Sequence, residues 1–207
     1  ATIMGINAGV ALTTGHDNTL IGADTADNLT TGDYNTAVGA GALGTEDVGR
    51  GTTAIGYQAL YSQNSDSNDE ETGNVAVGRS AGYNVTTGTS NTLIGRWAGG
   101  ILTTGSENVR IGSYAGNQTN QSYLVIIGSS AGQYSGGASV HIGRLAGRFM
   151  GGIHNVSVGY HAGAYNTNSP GAAGGYNTFV GSLAGTSATS GSSNVGVGNE
   201  ALEAVTD

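Results

Sequence analysis

One short pattern of apolar and polar positions recurs along the whole chain. Each copy reads β-branched residue, variable residue, aliphatic residue, glycine, two variable residues, alanine, and then most often glycine or leucine. Twelve copies fill the 207 residues, and their glycines stand 15 to 17 residues apart except for two steps of 22. These anchor glycines are Gly5, Gly22, Gly39, Gly56, Gly78, Gly95, Gly112, Gly128, Gly143, Gly159, Gly181 and Gly198.

The three residues before each anchor glycine predict a short strand. The last of them is apolar in all twelve copies, the first is always Thr or Val, and the middle one is unrestricted. Such alternation is typical of a strand with one buried face. We therefore expect the first and third residues, such as Ile94, to point inward. The variable middle residues, such as Arg110 and His141, are expected to point outward.

The conserved small residues predict the turns between strands. An invariant glycine indicates a backbone position that is closed to a Cβ or needs a positive φ. Alanine stands three residues after the anchor in eleven copies, with Thr25 as the exception, which indicates a tight inner corner. Asn stands four residues before the anchor in eight copies and can stack as a ladder. Each copy is thus one coil of an all-β parallel β-solenoid, with a single repeat domain expected over residues 1–207.

Composition narrows the class of protein further. The chain has 39 Gly, one Pro and no Cys, which argues against a helical domain and against disulfides or thiolate metal sites. The net charge of −8 argues against nucleic-acid binding, and no apolar run has the length of a membrane span. One thin column of coils buries few side chains against the entropy of ordering them, so we expect association with identical chains around a rotation axis.

The copies at residues 52–60, 74–82 and 91–99 resemble a known family. They are similar to the left-handed parallel β-roll heads of trimeric autotransporter adhesins, and more so to related arrays in head and tail fibres of tailed bacteriophages. The resemblance implies a left-handed homotrimer on a virion or extracellular surface, within a longer fibre chain. The coils here are longer than those of the adhesin heads, so the adhesins' collagen binding is not carried over.

The resemblance implies a structural function: a rigid fibre spacer that contacts a host-cell surface protein or glycan and other virion proteins. The head of a bacterial trimeric autotransporter adhesin is the alternative. An ice-binding solenoid is a minor alternative, because the Thr or Val before the anchor is expected to point inward and so to leave no outward Thr array.

The two 22-residue steps are the candidate contact loops, because loops on a scaffold concentrate binding function. The first is acidic and contains Asp66, Asp69, Glu70 and Glu71. A solvated loop is favoured there over a bound cation. The second runs from Tyr165 to Tyr176 and holds the single Pro.

Trp97 and Tyr114, which follow the anchors of consecutive coils, are candidate exposed aromatic residues. They could stack on a glycan, although packing between protomers is favoured.

No residue is assigned a catalytic, cofactor-binding or metal-binding role, and the chain is not expected to be an enzyme. Two stretches match the Gly-x-Ser-x-Gly nucleophile motif, with Ser80 and Ser130 as the serines. Their glycines and alanines are constants of the repeat, so the matches are incidental. His141 and His161 occupy variable positions of neighbouring coils, and no third or fourth zinc ligand accompanies them.

Overall fold

The computed structural model describes residues 1–65, 67, 70–164, 174–187 and 191–203. These ranges contain twelve three-residue strands and no α-helix. The strands are β1 (Thr2–Met4), β2 (Thr19–Ile21), β3 (Thr36–Val38), β4 (Thr53–Ile55), β5 (Val75–Val77), β6 (Thr92–Ile94), β7 (Val109–Ile111), β8 (Val125–Ile127), β9 (Val140–Ile142), β10 (Val156–Val158), β11 (Thr178–Val180) and β12 (Val195–Val197). The predicted all-β parallel β-solenoid is confirmed, with about eleven turns. Left-handedness and the homotrimer stay predictions.

Every strand ends at the residue before an anchor glycine, as the pattern predicts, and we number the coils 1–12 by these glycines. The chain divides into two compact units, Ala1–Glu107 with β1–β6 and Asn108–Asp207 with β7–β12. Within each unit consecutive strands pair in parallel and in register, as where Thr36 lies opposite Thr53. A single repeat domain over residues 1–207 stays a prediction.

Both predicted reasons for a glycine at the anchor, a positive φ and a lack of space for a Cβ, are confirmed. Gly39 has a φ of 133°, which L side chains rarely adopt. A Cβ on Gly39 would also lie 2.5 Å from the carbonyl oxygen of Gly56, the anchor of the next coil. The backbone turns of successive coils therefore stack too closely for any side chain at this position.

The prediction of which strand residues point inward is wrong. The middle residue is buried in β2–β12, whereas the first and third residues are half-buried or exposed. Arg110 and His141 are fully buried, and Ile94 is 36% exposed. The alternation correctly groups the first and third residues on one face, but a three-residue strand does not reveal which face meets the core. The core admits one residue of each strand, and that residue is the variable one.

The variable middle residue is matched in volume by a second residue of its own coil. We call the fourth residue after the anchor glycine the facing position. In coils 3 and 4 the middle residue is small and the facing residue large, as with Ala37 and Leu43, which are both fully buried. Where the middle residue is large the facing residue is small, as with Phe179 and Gly185: a Cβ on Gly185 would lie 2.5 Å from the Phe179 ring. Coils 5 and 10 differ, because both positions are small there and side chains of neighbouring coils fill the space.

The remaining core comes from two further positions. The alanine three residues after the anchor is buried throughout coils 1 and 3–11, which confirms the predicted inner corner, and Thr25 is buried in its place. A second inner column lies seven residues after the anchor, and the sequence interpretation overlooked it. Its fully buried apolar members are Leu29, Val85, Leu102 and Met150.

The predicted asparagine ladder is confirmed. Asn18 accepts a hydrogen bond from the backbone nitrogen of Asn35 at 2.8 Å and donates to the carbonyl of Gly32 at 2.7 Å. In the second unit Asn155 accepts in the same way from the backbone nitrogen of Asn177 at 3.0 Å. Each amide satisfies backbone groups that the narrow turns would otherwise leave buried without partners.

Two titratable side chains occupy middle positions in the core of the second unit. Arg110 donates to the carbonyl oxygens of Gly116 at 2.7 Å, Thr119 at 2.9 Å and Gln121 at 3.0 Å, and burial lowers its pKa to about 9. The Nε2 of His141 lies 2.8 Å from the Ser135 hydroxyl, and burial lowers the pKa of His141 to about 4. Within the described ranges, Arg110 Nε and His141 Nδ1 have no hydrogen-bond partner. The expectation that these two residues face solvent is therefore wrong.

Candidate functional site

The outer sheet face of each unit is the most regular surface of the chain. It consists of the first and third strand residues, which stack in two columns because the strands pair in register. In the first unit the columns are Thr2, Thr19, Thr36, Thr53, Val75 and Thr92, and Met4, Ile21, Val38, Ile55, Val77 and Ile94. In the second unit they are Val109, Val125, Val140, Val156, Thr178 and Val195, and Ile111, Ile127, Ile142, Val158, Val180 and Val197.

These columns are apolar or Thr throughout, and all of their side chains are at least partly exposed in the single chain. Ile55, Ile94 and Ile142 are each more than a third exposed, and Val195 and Val197 more than two thirds. A contiguous apolar surface of this kind is typical of an interaction site.

The first expanded step is held at its base by a buried carboxylate. Glu46 is fully buried and accepts hydrogen bonds from the Gln63 side chain at 2.9 Å and from the Ser65 hydroxyl at 3.1 Å. The backbone nitrogen of Gly49 donates to it at 2.7 Å. Gln63 in turn accepts from Asn74 at 2.9 Å, which connects the start of the loop to the following strand. The chain thus enters the loop through a fixed polar network.

The candidate contact residues of this loop are only partly described. Glu70 is half-buried and Glu71 is exposed, and Glu71 forms an isolated parallel bridge with Arg50. Asp66 and Asp69 lie outside the described residues. In the part of the chain that the structure describes, no group of three or more His, Asp or Glu residues could hold a metal ion. The cation alternative for this loop therefore stays untested.

The second expanded step is described only at its end. Tyr165 lies outside the described residues. Tyr176 is 61% exposed, and its ring stacks on His154 with the centroids 5.1 Å apart. This ring pair presents an aromatic surface where the chain leaves the loop.

The two candidate aromatic residues lie in different units. Trp97 is half-buried and packs against Tyr83, with ring centroids 5.7 Å apart, and Tyr83 stacks on Tyr61 at 5.3 Å. Tyr114 is half-buried in the second unit. Neither ring is fully exposed, so the description of Trp97 and Tyr114 as exposed aromatics is too strong.

The sequence interpretation overlooked a basic and aromatic patch on the second unit. Arg144 donates to the Tyr160 hydroxyl at 3.3 Å, and the Arg148 guanidinium lies 4.9 Å from the centre of the Phe149 ring. Burial lowers the pKa of His161, and the charges of Arg144 and Arg148 lower it further. Coil register brings Arg144 of coil 9 beside Tyr160 of coil 10. The signal in the sequence is the pair of Arg residues four positions apart in one coil, in a stretch without acids.

The two serines of the nucleophile motif occupy an ordinary turn position. Ser80 and Ser130 both have a φ of 55°, and Trp97 has a φ of 57° at the corresponding position of coil 6. The position therefore follows from the repeat, whichever side chain it carries. The described residues include no helix with the length and hydropathy of a membrane span.

No family model, curated protein or solved structure matches the chain. The geometry of the chain defines its class, a parallel β-solenoid.

Proposed function

We propose that this chain is a structural fibre segment of a virion, a rigid spacer that assembles as a homotrimer and contacts the host surface. The observation that carries the proposal is the outer sheet face, because its columns are left at least partly exposed by the residues that the structure describes. Identical chains packed about a rotation axis would bury these columns on every coil at once. Such packing supplies the second buried face that a thin column of coils needs.

The host contact is proposed for the expanded steps, residues 61–73 and 165–176. Glu71 and Tyr176 are exposed there, and the buried Glu46 network gives the first loop a fixed base. Trimming either loop to the common coil length should leave assembly intact and reduce adsorption. Adsorption that survives both trims would contradict this part of the proposal.

Assembly is tested with two matched variants of coil 6. Ile94 on the outer sheet face is 36% exposed and Ile101 in the following turn is 41% exposed. We expect the native chain to scatter light as a particle of three times the 20.4 kDa chain mass. Ile94→Asp should abolish the trimer, because a carboxylate in the interface would lack a partner. Ile101→Asp should remain a trimer. A native chain at 20.4 kDa, or equal effects of both variants, would contradict the proposal.

The alternative assignment, the head of a bacterial trimeric autotransporter adhesin, shares this assembly. Gene context separates the two: a C-terminal membrane β-barrel in the full-length gene favours the adhesin, and a virion-attachment domain favours the fibre.

Ice binding is a second candidate, because one observation now favours it. Thr2, Thr19, Thr36 and Thr53 form an outward column on four successive coils, whereas the sequence interpretation expected them to point inward. A regular outward Thr column is the arrangement that an ice-binding solenoid requires. Ice binding and trimerisation would use the same face. A monomeric chain that shows thermal hysteresis would therefore support ice binding and contradict the fibre proposal. A trimer that shows no thermal hysteresis would support the fibre proposal and contradict ice binding.

A further inference from the structure

A notch interrupts the surface of the first unit at coil 3. The residues one, two and five positions after the anchor of this coil are Ala40, Gly41 and Gly44. At the second and fifth of these positions coils 2 and 4 carry acidic, amide or aromatic side chains, and at the first position coil 4 carries a tyrosine. A pocket of about 340 Å³ opens where coil 3 has no side chain to fill the ladder, which is within the range of small-molecule sites.

The two walls of the notch differ in chemistry. One wall belongs to coil 2 and the other to coil 4. Their residues are Asp24, Asp27 and Asn28 on the first, and Tyr57, Gln58 and Tyr61 on the second. Adjacent coils of a parallel stack lie about 4.8 Å apart, so coils 2 and 4 are separated by roughly 10 Å. Side chains of both walls lean into this gap, because the Tyr61 ring lies over Gly44 and Asn28 reaches the Gly44 carbonyl. The pocket is the space left between them.

The acidic wall offers fixed acceptors. Asn7 donates to Asp24 Oδ1 at 2.9 Å, and Asn28 donates to Asp27 Oδ1 at 3.3 Å and to the Gly44 carbonyl at 2.5 Å. A carboxylate has about four acceptor sites, so both acids retain capacity for a ligand. No Lys or Arg salt bridge to either acid occurs among the described residues. This wall therefore favours hydroxyl or ammonium donors and repels anions.

The aromatic wall is held in place before any ligand arrives. The Tyr61 ring stacks on Tyr83 with an interplanar angle of 6°. It also lies over Gly44, where a Cβ would come within 2.8 Å of the ring, so glycine is needed for the ring to lie there. Tyr57 beside it is half exposed. Rings fixed in this way lose little conformational entropy when a ligand stacks on them.

We propose that this notch binds a non-acidic pyranose, either a neutral sugar or an amino sugar. The apolar C–H face of the sugar packs against the tyrosine wall, and its hydroxyl or ammonium groups donate to Asp24 and Asp27. The site rests on the host-contact part of the proposed function and names its partner as a glycan. It lies on coils 2–4, and among its residues Tyr61 also belongs to the first expanded step, residues 61–73.

The test measures binding of three oligosaccharides to the full chain by calorimetry: maltotriose, the glucosamine trimer and trigalacturonate. Gly41→Gln fills the notch with the side chain that coil 4 carries at the same position. The backbone accepts it, because Gln58 has a φ of 52° and Gly41 a φ of 64°. Ser130→Gln, at the same position of coil 8, is the matched control. Tyr57→Ala is a second variant that leaves the Tyr61–Tyr83 stack in place.

We expect maltotriose or the glucosamine trimer to bind and trigalacturonate to bind at least tenfold more weakly. Gly41→Gln and Tyr57→Ala should each weaken binding about tenfold, since each removes ring contact or space, while Ser130→Gln binds as the native chain does. No binding of either non-acidic sugar, equal binding of trigalacturonate, or native affinity in both notch variants would overturn the proposal. Light scattering on the same samples separates the two hypotheses. A trimer that binds no sugar overturns the glycan site alone, and a monomer that binds sugar overturns the assembly alone.

Discussion

Exchanging the large and small core residues of one coil tests the volume match directly. Coil 3 has Ala37 in the middle position and Leu43 in the facing position, both fully buried. Coil 2 has the reverse arrangement, Leu20 with Ala26. The double variant Ala37→Leu/Leu43→Ala therefore gives coil 3 an arrangement that the neighbouring coil already uses, with the same total side-chain volume.

The single variants should each be destabilising for opposite reasons. Leu43→Ala leaves a cavity and should cost about 3–5 kcal/mol of unfolding free energy, as buried Leu→Ala changes do. Ala37→Leu inserts three carbon atoms opposite an intact Leu43 and should cost about 1–3 kcal/mol by overpacking. The new leucine in the double variant occupies the space vacated by the old one. Its cost should therefore fall about 2 kcal/mol or more below the sum of the two.

The assay is a double-mutant cycle by chemical denaturation at one fixed protein concentration, because association makes the apparent stability depend on concentration. Ala76→Leu combined with Leu43→Ala is the control, since it places the added volume two coils away. We expect that control pair to compensate less than the exchange within coil 3. Additive costs in the coil 3 pair would refute the idea that each coil balances its own volume.

Two further predictions concern backbone and charge. Gly39→Ala should destabilise the chain by several kcal/mol, because φ is 133° and the added Cβ would meet the Gly56 carbonyl. Gly137→Ala, whose Cβ would have no neighbour closer than 3.6 Å, should cost less than about 1 kcal/mol in the same melts. For His141 the folded pKa of about 4 lies below the ordinary 6.5, so the unfolded chain binds more protons between these values. Unfolding free energy should then fall by about 3 kcal/mol as the pH drops from 6.5 to below 4. His141→Leu should remove this part of the pH dependence of the melting temperature, and an unchanged acid profile would contradict the burial of a neutral imidazole.

The strands and turns could be predicted from sequence because they depend on backbone requirements that recur in every coil. An invariant glycine at each anchor and an apolar residue before it are sufficient to place all twelve strands. The same regularity explains the wrong orientation. The sequence interpretation assigned the constant first and third strand residues to the core, but these residues form the outer face. The core is formed by the middle and facing positions, whose residues vary together.

A signal for the true core was present in the sequence. Ala37 is followed six residues later by Leu43, and Phe179 is followed at the same spacing by Gly185. In ten of the twelve coils one of these two residues is large and the other is Ala or Gly, which is what a shared volume requires. The notch at coil 3 needed the structure, because its walls come from coils 2 and 4 and meet only through the stacking.

A coil that balances its own volume is also a unit that can be copied. Duplicating the 17 residues of coil 3 would add one rung, about 4.8 Å, and coils 3 and 4 already stack the same pairing of Ala with Leu. Fibre length could therefore change in whole-coil steps by simple gene duplication. In the first unit coil 5 is the exception: the space at Gly82, beside Ala76, is occupied by Leu60 from the coil before and Leu93 from the coil after. Removing coil 5 would bring these two leucines together, so the array should tolerate changes in length everywhere in the first unit more readily than at this coil.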